Sequence, residues 1–152
     1  MDVGAEATQS TVPDLDAATA LVQLARLVQC VQARVSDRHG LTPVQGKLLC
    51  ALAGGPRGMA ELARCFGVEK AALTGLVDRA ERRGVVQRSA VPGDRRALAA
   101  TLTVSGREAA TAFHADATAA LEDLLAPLGA DARTNFRRAM TEIIAASETD
   151  EC

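Results

Sequence analysis

Apolar positions recur at helical spacing along most of the chain and change to rough alternation only around residues 85–103. Leu21, Ala25, Val28, Val31 and Val35 form a stripe that predicts a long helix from Asp14 to about residue 38. Asp14 or Asp16 supplies its cap and Gly40 its stop. Thr42-Pro43 opens a second helix, with the threonine as cap and the proline in the first turn, and Gly54-Gly55-Pro56 closes it. Two further helices are predicted over residues 59–66 and 69–83, with Gly67 between them and Gly84 at a left-handed exit. Strands are expected at about 85–90 and 98–103, joined by the turn VPGDRR. Ser105 is expected to cap a helix reaching about Leu125, which Pro127 and Gly129 break. A last helix, about 131–147, carries Phe136, Met140, Ile143 and Ile144 on one face, and residues 1–13 are expected to be a disordered tail.

The middle of this pattern has a specific shape. Leu62, Ala63, Gly67, Leu73 and Leu76 stand where two short crossing helices joined by a tight turn need them. Ala63 has to be small at the crossing, and Gly67 takes the positive φ of the turn. Leu73, Leu76, Val77 and Ala80 make a buried stripe, so Lys70, Ala71, Thr74, Gly75 and Asp78 fall on the opposite side. Short side chains in the first two turns let a helix backbone approach a DNA groove, and Lys70 and Thr74 can reach bases or phosphates. The hairpin that follows carries Asp94, Arg95 and Arg96 at or beside its tip, and a guanidinium suits the narrow, negative minor groove. Arg79, Arg88 and Arg107 are candidate phosphate contacts; for Arg79, Arg82 and Arg83, pairing with Asp78 and Glu81 is an equal alternative. The fold class is therefore mainly α with a small β wing: a winged helix-turn-helix (residues 41–104) between an N-terminal helix (14–40) and C-terminal helices (105–152) suited to dimerisation.

Charge supports this placement. The net formal charge is −2, yet residues 57–107 hold ten Lys and Arg against five Asp and Glu, and the remainder holds seven against fourteen. A basic centre flanked by acidic ends suits a DNA contact, because the local patch and not the total charge faces the phosphates. The composition is 48% apolar but 2% aromatic, without Trp or Tyr, so the core is built from Ala, Leu and Val. No apolar run approaches membrane-spanning length and the acidic, polar start does not resemble a signal peptide, so a cytoplasmic location is expected.

Other chemistry finds little footing. There is no phosphate-binding glycine loop, no G-x-S-x-G and no suggestive His–carboxylate spacing, so no enzyme activity and no cofactor are expected. His39 and His114 are isolated and no C-x-x-C occurs, so no metal site is expected. Cys30, Cys50 and Cys65 lie in apolar helical patterns and are expected to be small buried residues.

The stretches LTPVQGKLLCAL, ELARCFGVEKAALTGLVDRAERRGVVQR and DRRALAATLTVSGREA resemble the MarR family of winged-helix regulators over roughly residues 15–147. The resemblance implies a homodimer joined through the first and last two helices, with each winged helix reading half of a pseudo-palindromic operator in double-stranded DNA, usually as a repressor. It places Lys70, Ala71, Ala72, Thr74 and Gly75 in the major groove, and matches Asp94 and Arg96 to the family's wing motif, with Arg96 as the minor-groove probe. Glu69 departs from the usual Ser, Thr or Asp cap of the recognition helix. Such proteins commonly release DNA on binding a small lipophilic or anionic effector between the dimer helices and the winged helix. Arg34, Arg38 and His39 could meet an anionic ligand there, or serve as salt-bridge and helix-terminus partners. Two other readings stand beside this one: a thiol-sensing regulator using Cys30 or Cys152, and a winged helix used for protein–protein contact.

Overall fold

Capping chemistry sets where the elements begin. The computed structural model describes residues 14–147, so the tail expected over residues 1–13 and the candidate Cys152 lie outside the described residues. Helix α1 (Ala17–Arg38) starts where the Asp16 carboxylate accepts the Thr19 amide at 3.0 Å and the Thr19 hydroxyl at 2.6 Å. Helix α2 (Pro43–Leu52) opens on a reciprocal box: Thr42 Oγ1 accepts from the Gln45 amide, and Gln45 Oε1 accepts from the Thr42 amide. Strand β1 (Arg57–Gly58) leads into α3 (Met59–Phe66), and Gly67 turns the chain in the left-handed region at φ 60°. Helix α4 (Lys70–Arg82) begins at Glu69, whose side chain makes no capping bond, consistent with its unusual identity there. Then come β2 (Val86–Val91), β3 (Asp94–Leu102), α5 (Val104–Leu124) and α6 (Ala130–Ser147).

The small sheet is antiparallel in the order β1-β3-β2. Val86 pairs with Leu102 at its base, and Arg57 pairs with Ala100 on the other side of β3. Strand β1 was not expected: two residues are too short to carry a periodic signal. The helix α5 is capped by Thr103, not by Ser105. Thr103 Oγ1 accepts from the Gly106 amide at 3.0 Å and donates to the Gly84 carbonyl at 2.6 Å, so one hydroxyl ties the wing's entry to its exit.

Two apolar clusters organise the interior. The larger joins Leu48, Leu49, Leu52, Leu62, Leu73, Leu76, Val77 and Ala80 to Val86, Ala100, Leu102 and Ala110, and so binds the helical half to the wing. The smaller packs Val31 and Val35 of α1 against Phe113 and Ala117 of α5. Leu41, in the turn between α1 and α2, touches both. Of the expected α1 stripe, Val31 and Val35 are buried, Val28 is half-buried, and Leu21 and Ala25 are exposed. No residue of α6 is fully buried within the chain; of its expected apolar face Phe136 and Met140 are half-buried, and Ile143 and Ile144 are 62% and 56% exposed.

The cysteine expectation is corrected. Cys30, Cys50 and Cys65 are free and exposed, because the buried stripes pass beside them through Val31, Leu49 and Leu62. Cys50 is partly desolvated on α2, which pushes its thiol up from the ordinary value.

Candidate nucleic-acid interface

Helix α4 turns Leu73, Leu76, Val77 and Ala80 inward, which leaves Lys70, Ala71 and Ala72 exposed and Thr74 and Gly75 partly so. The side expected to meet DNA is therefore the open side. The Thr74 hydroxyl donates to the Lys70 carbonyl at 2.8 Å, so towards a base it is left as an acceptor. Arg79 is exposed one turn further on.

The wing differs from the expected loop. Strand β3 starts at Asp94, so Arg95 and Arg96 belong to a strand, and the turn shrinks to Pro92-Gly93 with Gly93 at φ 86°. The register jumps from Ala90 opposite Leu98 to Val91 opposite Asp94. Residues 95–97 are thus extra on one strand and bulge from the ladder. Asp94 shapes this bulge by accepting the Arg96 amide at 2.9 Å; it acts on the backbone and not on either guanidinium. Both arginines are exposed.

Between helix and wing lies a groove of about 470 Å³ lined by Lys70, Thr74, Arg88 and Arg96, with Met59 and Leu98 as apolar walls. The structure thus brings Lys70 and Thr74 of α4 and Arg96 of β3 onto one concave face, whereas Ala71, Ala72, Gly75, Asp94 and Arg95 do not line it. Leu98, 46% exposed on this face, had no signal in the sequence beyond its place in an alternating strand.

Arg88, a candidate phosphate contact, is bonded within the chain. Its guanidinium donates to Asp78 Oδ1 at 2.5 Å, Glu81 Oε2 at 2.6 Å and the Thr74 carbonyl at 3.2 Å. Its backbone amide also donates to Glu81 Oε1 at 2.9 Å. The pairing foreseen for Asp78 and Glu81 exists, but the partner is Arg88 of β2 and not Arg79, Arg82 or Arg83. Arg83 instead donates to the Gly40 carbonyl at 2.7 Å, and Arg107 to the Leu102 carbonyl at 3.1 Å.

The candidate effector residues separate. Arg34 and Arg38 line a second groove, about 530 Å³, between α1 and α5, with Val31, Ala120 and Leu124 as its apolar part and Asp37 and Asp123 beside the arginines. His39 stands apart from it: Nε2 lies 2.8 Å from Asp116 Oδ2 and the ring meets Phe113 edge-on at 5.6 Å. Among the described residues no group of three His, Cys, Asp or Glu could hold a metal ion, and no helix is long and apolar enough to cross a membrane.

Two helices joined through the Gly67 turn, a three-stranded sheet and an arginine-bearing hairpin define a winged-helix protein. Comparison with known proteins is consistent with that geometry. A model of the MarR family matches residues 39–97. The chain is 45% identical over 67 residues to the HTH-type transcriptional repressor NicR of Pseudomonas putida, a match spanning 43% of this chain and 42% of NicR. A probable transcriptional regulator from Pseudomonas aeruginosa is 30% identical with a TM-score of 0.68, over 86% of this chain and 98% of that one. Wild-type MarR from E. coli shares the fold with a TM-score of 0.77 at 20% identity, over 86% and 98% of the two chains. BpsR from Bordetella bronchiseptica, whose DNA binding is regulated by 6-hydroxynicotinic acid, shares it with a TM-score of 0.68 at 20% identity, over 84% and 92%. The chain belongs to the MarR family of winged-helix transcriptional regulators.

Proposed function

We propose that this protein is a homodimeric, cytoplasmic repressor that reads a pseudo-palindromic operator and lets go when a small anionic aromatic compound binds. The observation that carries the DNA contact is the shared face: Lys70 and Thr74 of α4 line the same groove as Arg96 of the wing. A helix presented with alanines and a glycine at its first turns enters a major groove closely, and the wing then falls over the adjacent minor groove. With Ala71, Ala72 and Gly75 on that helix, few donors reach bases. Thymine-methyl contact and DNA shape supply much of the selectivity in this reading.

The dimer is supported by the apolar surface that α1 and α6 leave uncovered, including Leu21, Val22, Leu27, Ile143 and Ile144. The effector is supported by the α1–α5 groove, where Arg34 and Arg38 offer cations beside an apolar wall. The ligand that regulates BpsR is an anionic heteroaromatic, which fits those features and serves as the first probe.

The test is a binding titration against the DNA beside this protein's own gene, at several salt concentrations. Selective binding with a steep salt slope is expected, and Arg96→Ala should cost on the order of 1–3 kcal/mol. Equal, weak binding to all duplexes, untouched by Arg96→Ala, would refute the reading.

A further inference from the structure

The geometry points to Arg88 as the positioning residue that sets the angle between α4 and the wing, and through it the fit of both to one operator. The inference rests on the DNA-reading function proposed above. Three observations carry it.

First, Arg88 is the side chain through which β2 grips α4 at three places: Thr74 in the second turn, Asp78 in the third and Glu81 near the end. A planar guanidinium with a fixed fork of donors holds those acceptors in one relative orientation, which a single-point ammonium cannot do. Second, the grip lies beside the reading surface. Thr74 gives its carbonyl to Arg88 and lines the groove that Arg96 closes. Third, Arg88 is only 21% exposed and already shared between two carboxylates, so it is poorly placed to neutralise a phosphate. Its single positive charge also offsets one of the two negative charges that Asp78 and Glu81 place on the DNA-facing helix.

Positioning and charge cancellation make different demands, and variants separate them. Wild-type protein first selects its tightest duplex from a random 20-base-pair library, and that duplex and an unrelated one become the probes. Arg88→Met is expected to weaken the selected duplex roughly 10-fold or more, while binding to the unrelated duplex changes by about 3-fold or less. Arg88→Lys, which keeps the charge and loses the fork, is expected to behave like Arg88→Met, and it serves if the methionine variant unfolds early. The triple variant Arg88→Met, Asp78→Asn, Glu81→Gln removes the stranded anions and should still lack selectivity. The sharpest readout is coupling: Arg96→Ala should cost about 10-fold in wild type but about 3-fold or less in the Arg88→Met background, because a wing held at the wrong angle no longer places Arg96.

An additive Arg96→Ala penalty would overturn the inference, as would full recovery in the triple variant, which leaves only electrostatics. A salt slope lowered by about 1 in Arg88→Met would overturn it too, by showing a phosphate contact. Failure of the wild-type protein to select any sequence would instead sink the DNA-reading function itself.

Discussion

Gly106, in the first turn of α5, lies against the backbone of Val85, so that a Cβ built on it would overlap the Val85 carbonyl oxygen. That carbonyl also accepts the Thr103 amide at 3.1 Å, and Thr103 in turn bonds Gly84 and Gly106. The start of the wing, its end and the start of α5 are therefore locked at one point that only glycine allows. Gly106→Ala is expected to destabilise the protein by about 1–3 kcal/mol, because backbone and not a flexible side chain has to move. Gly54→Ala, where nothing lies within 4 Å of the added carbon, is the control and should stay within about 0.5 kcal/mol. Urea unfolding of both variants checks this, and equal effects would show that the contact is not tight.

Lys70 tests the helix side of the proposed interface. It is exposed at the first position of α4 and lines the groove. If it meets a phosphate, Lys70→Ala lowers the slope of log K against log salt by about 0.9 for each phosphate left without its cation, and weakens all sequences alike. If it meets a base edge, the weakening is confined to one operator position. Titration of single-base operator variants at three salt concentrations distinguishes these results, and an unchanged affinity throughout would remove Lys70 from the interface.

How much of this was legible beforehand follows from the range of each interaction. The cap of α1 could be narrowed to Asp14 or Asp16, of which the bond to Thr19 selects Asp16. The Thr42 cap of α2 could be read along the chain. So could the Gly67 turn and the inward stripe of α4, since both depend on local spacing. What escaped was what pairing decides. The bulge at residues 95–97 exists because Val91 pairs with Asp94 while Ala90 pairs with Leu98, and no alternation of residue types announces that jump. Ser105 lost the cap to Thr103 because Thr103 alone also reaches Gly84, nineteen residues back. Arg88 reads along the chain as a candidate phosphate contact, because its three partners lie on another element. The cysteines were misjudged because an apolar pattern identifies a stripe more surely than the residues bordering it.

The uncovered face of α6 gives a further prediction. Ile143 and Ile144 are more than half exposed, and no residue of α6 is fully buried by its own chain. A side chain of this size gains about 1.5–3 kcal/mol when removed from water, and a charge in its place resists burial. Ile144→Asp is expected to shift a dimer towards monomer in sedimentation velocity, with little change in helical circular dichroism. Ser147→Asp, on the same helix but polar already, should leave the dimer intact. A wild-type chain that sediments as a monomer at micromolar concentration would end the dimer proposal.

Acid stability tests the start of α1. Hydrogen bonds from the side chain and then the backbone of Thr19 hold the Asp16 carboxyl below its ordinary value of 3.8, against a small opposing effect of desolvation. A carboxylate whose folded value is lowered adds stability that is fully present above the unfolded value and is lost as pH falls through the folded one. Near neutrality Asp16 therefore supports α1 both as a cap and as a negative charge at the helix's positive end. Asp16→Asn keeps an acceptor for the Thr19 amide but removes the titration and the charge. The unfolding midpoint of the wild type should exceed that of Asp16→Asn at about pH 6. The gap should narrow once pH falls below 3.8 and close beneath the lowered folded value, where the carboxyl is protonated in both states. Because Asp16 is fully exposed, added salt should shrink the gap at about pH 6 as well. A gap of constant size across this range would assign the difference to the shape of the cap, and not to its charge.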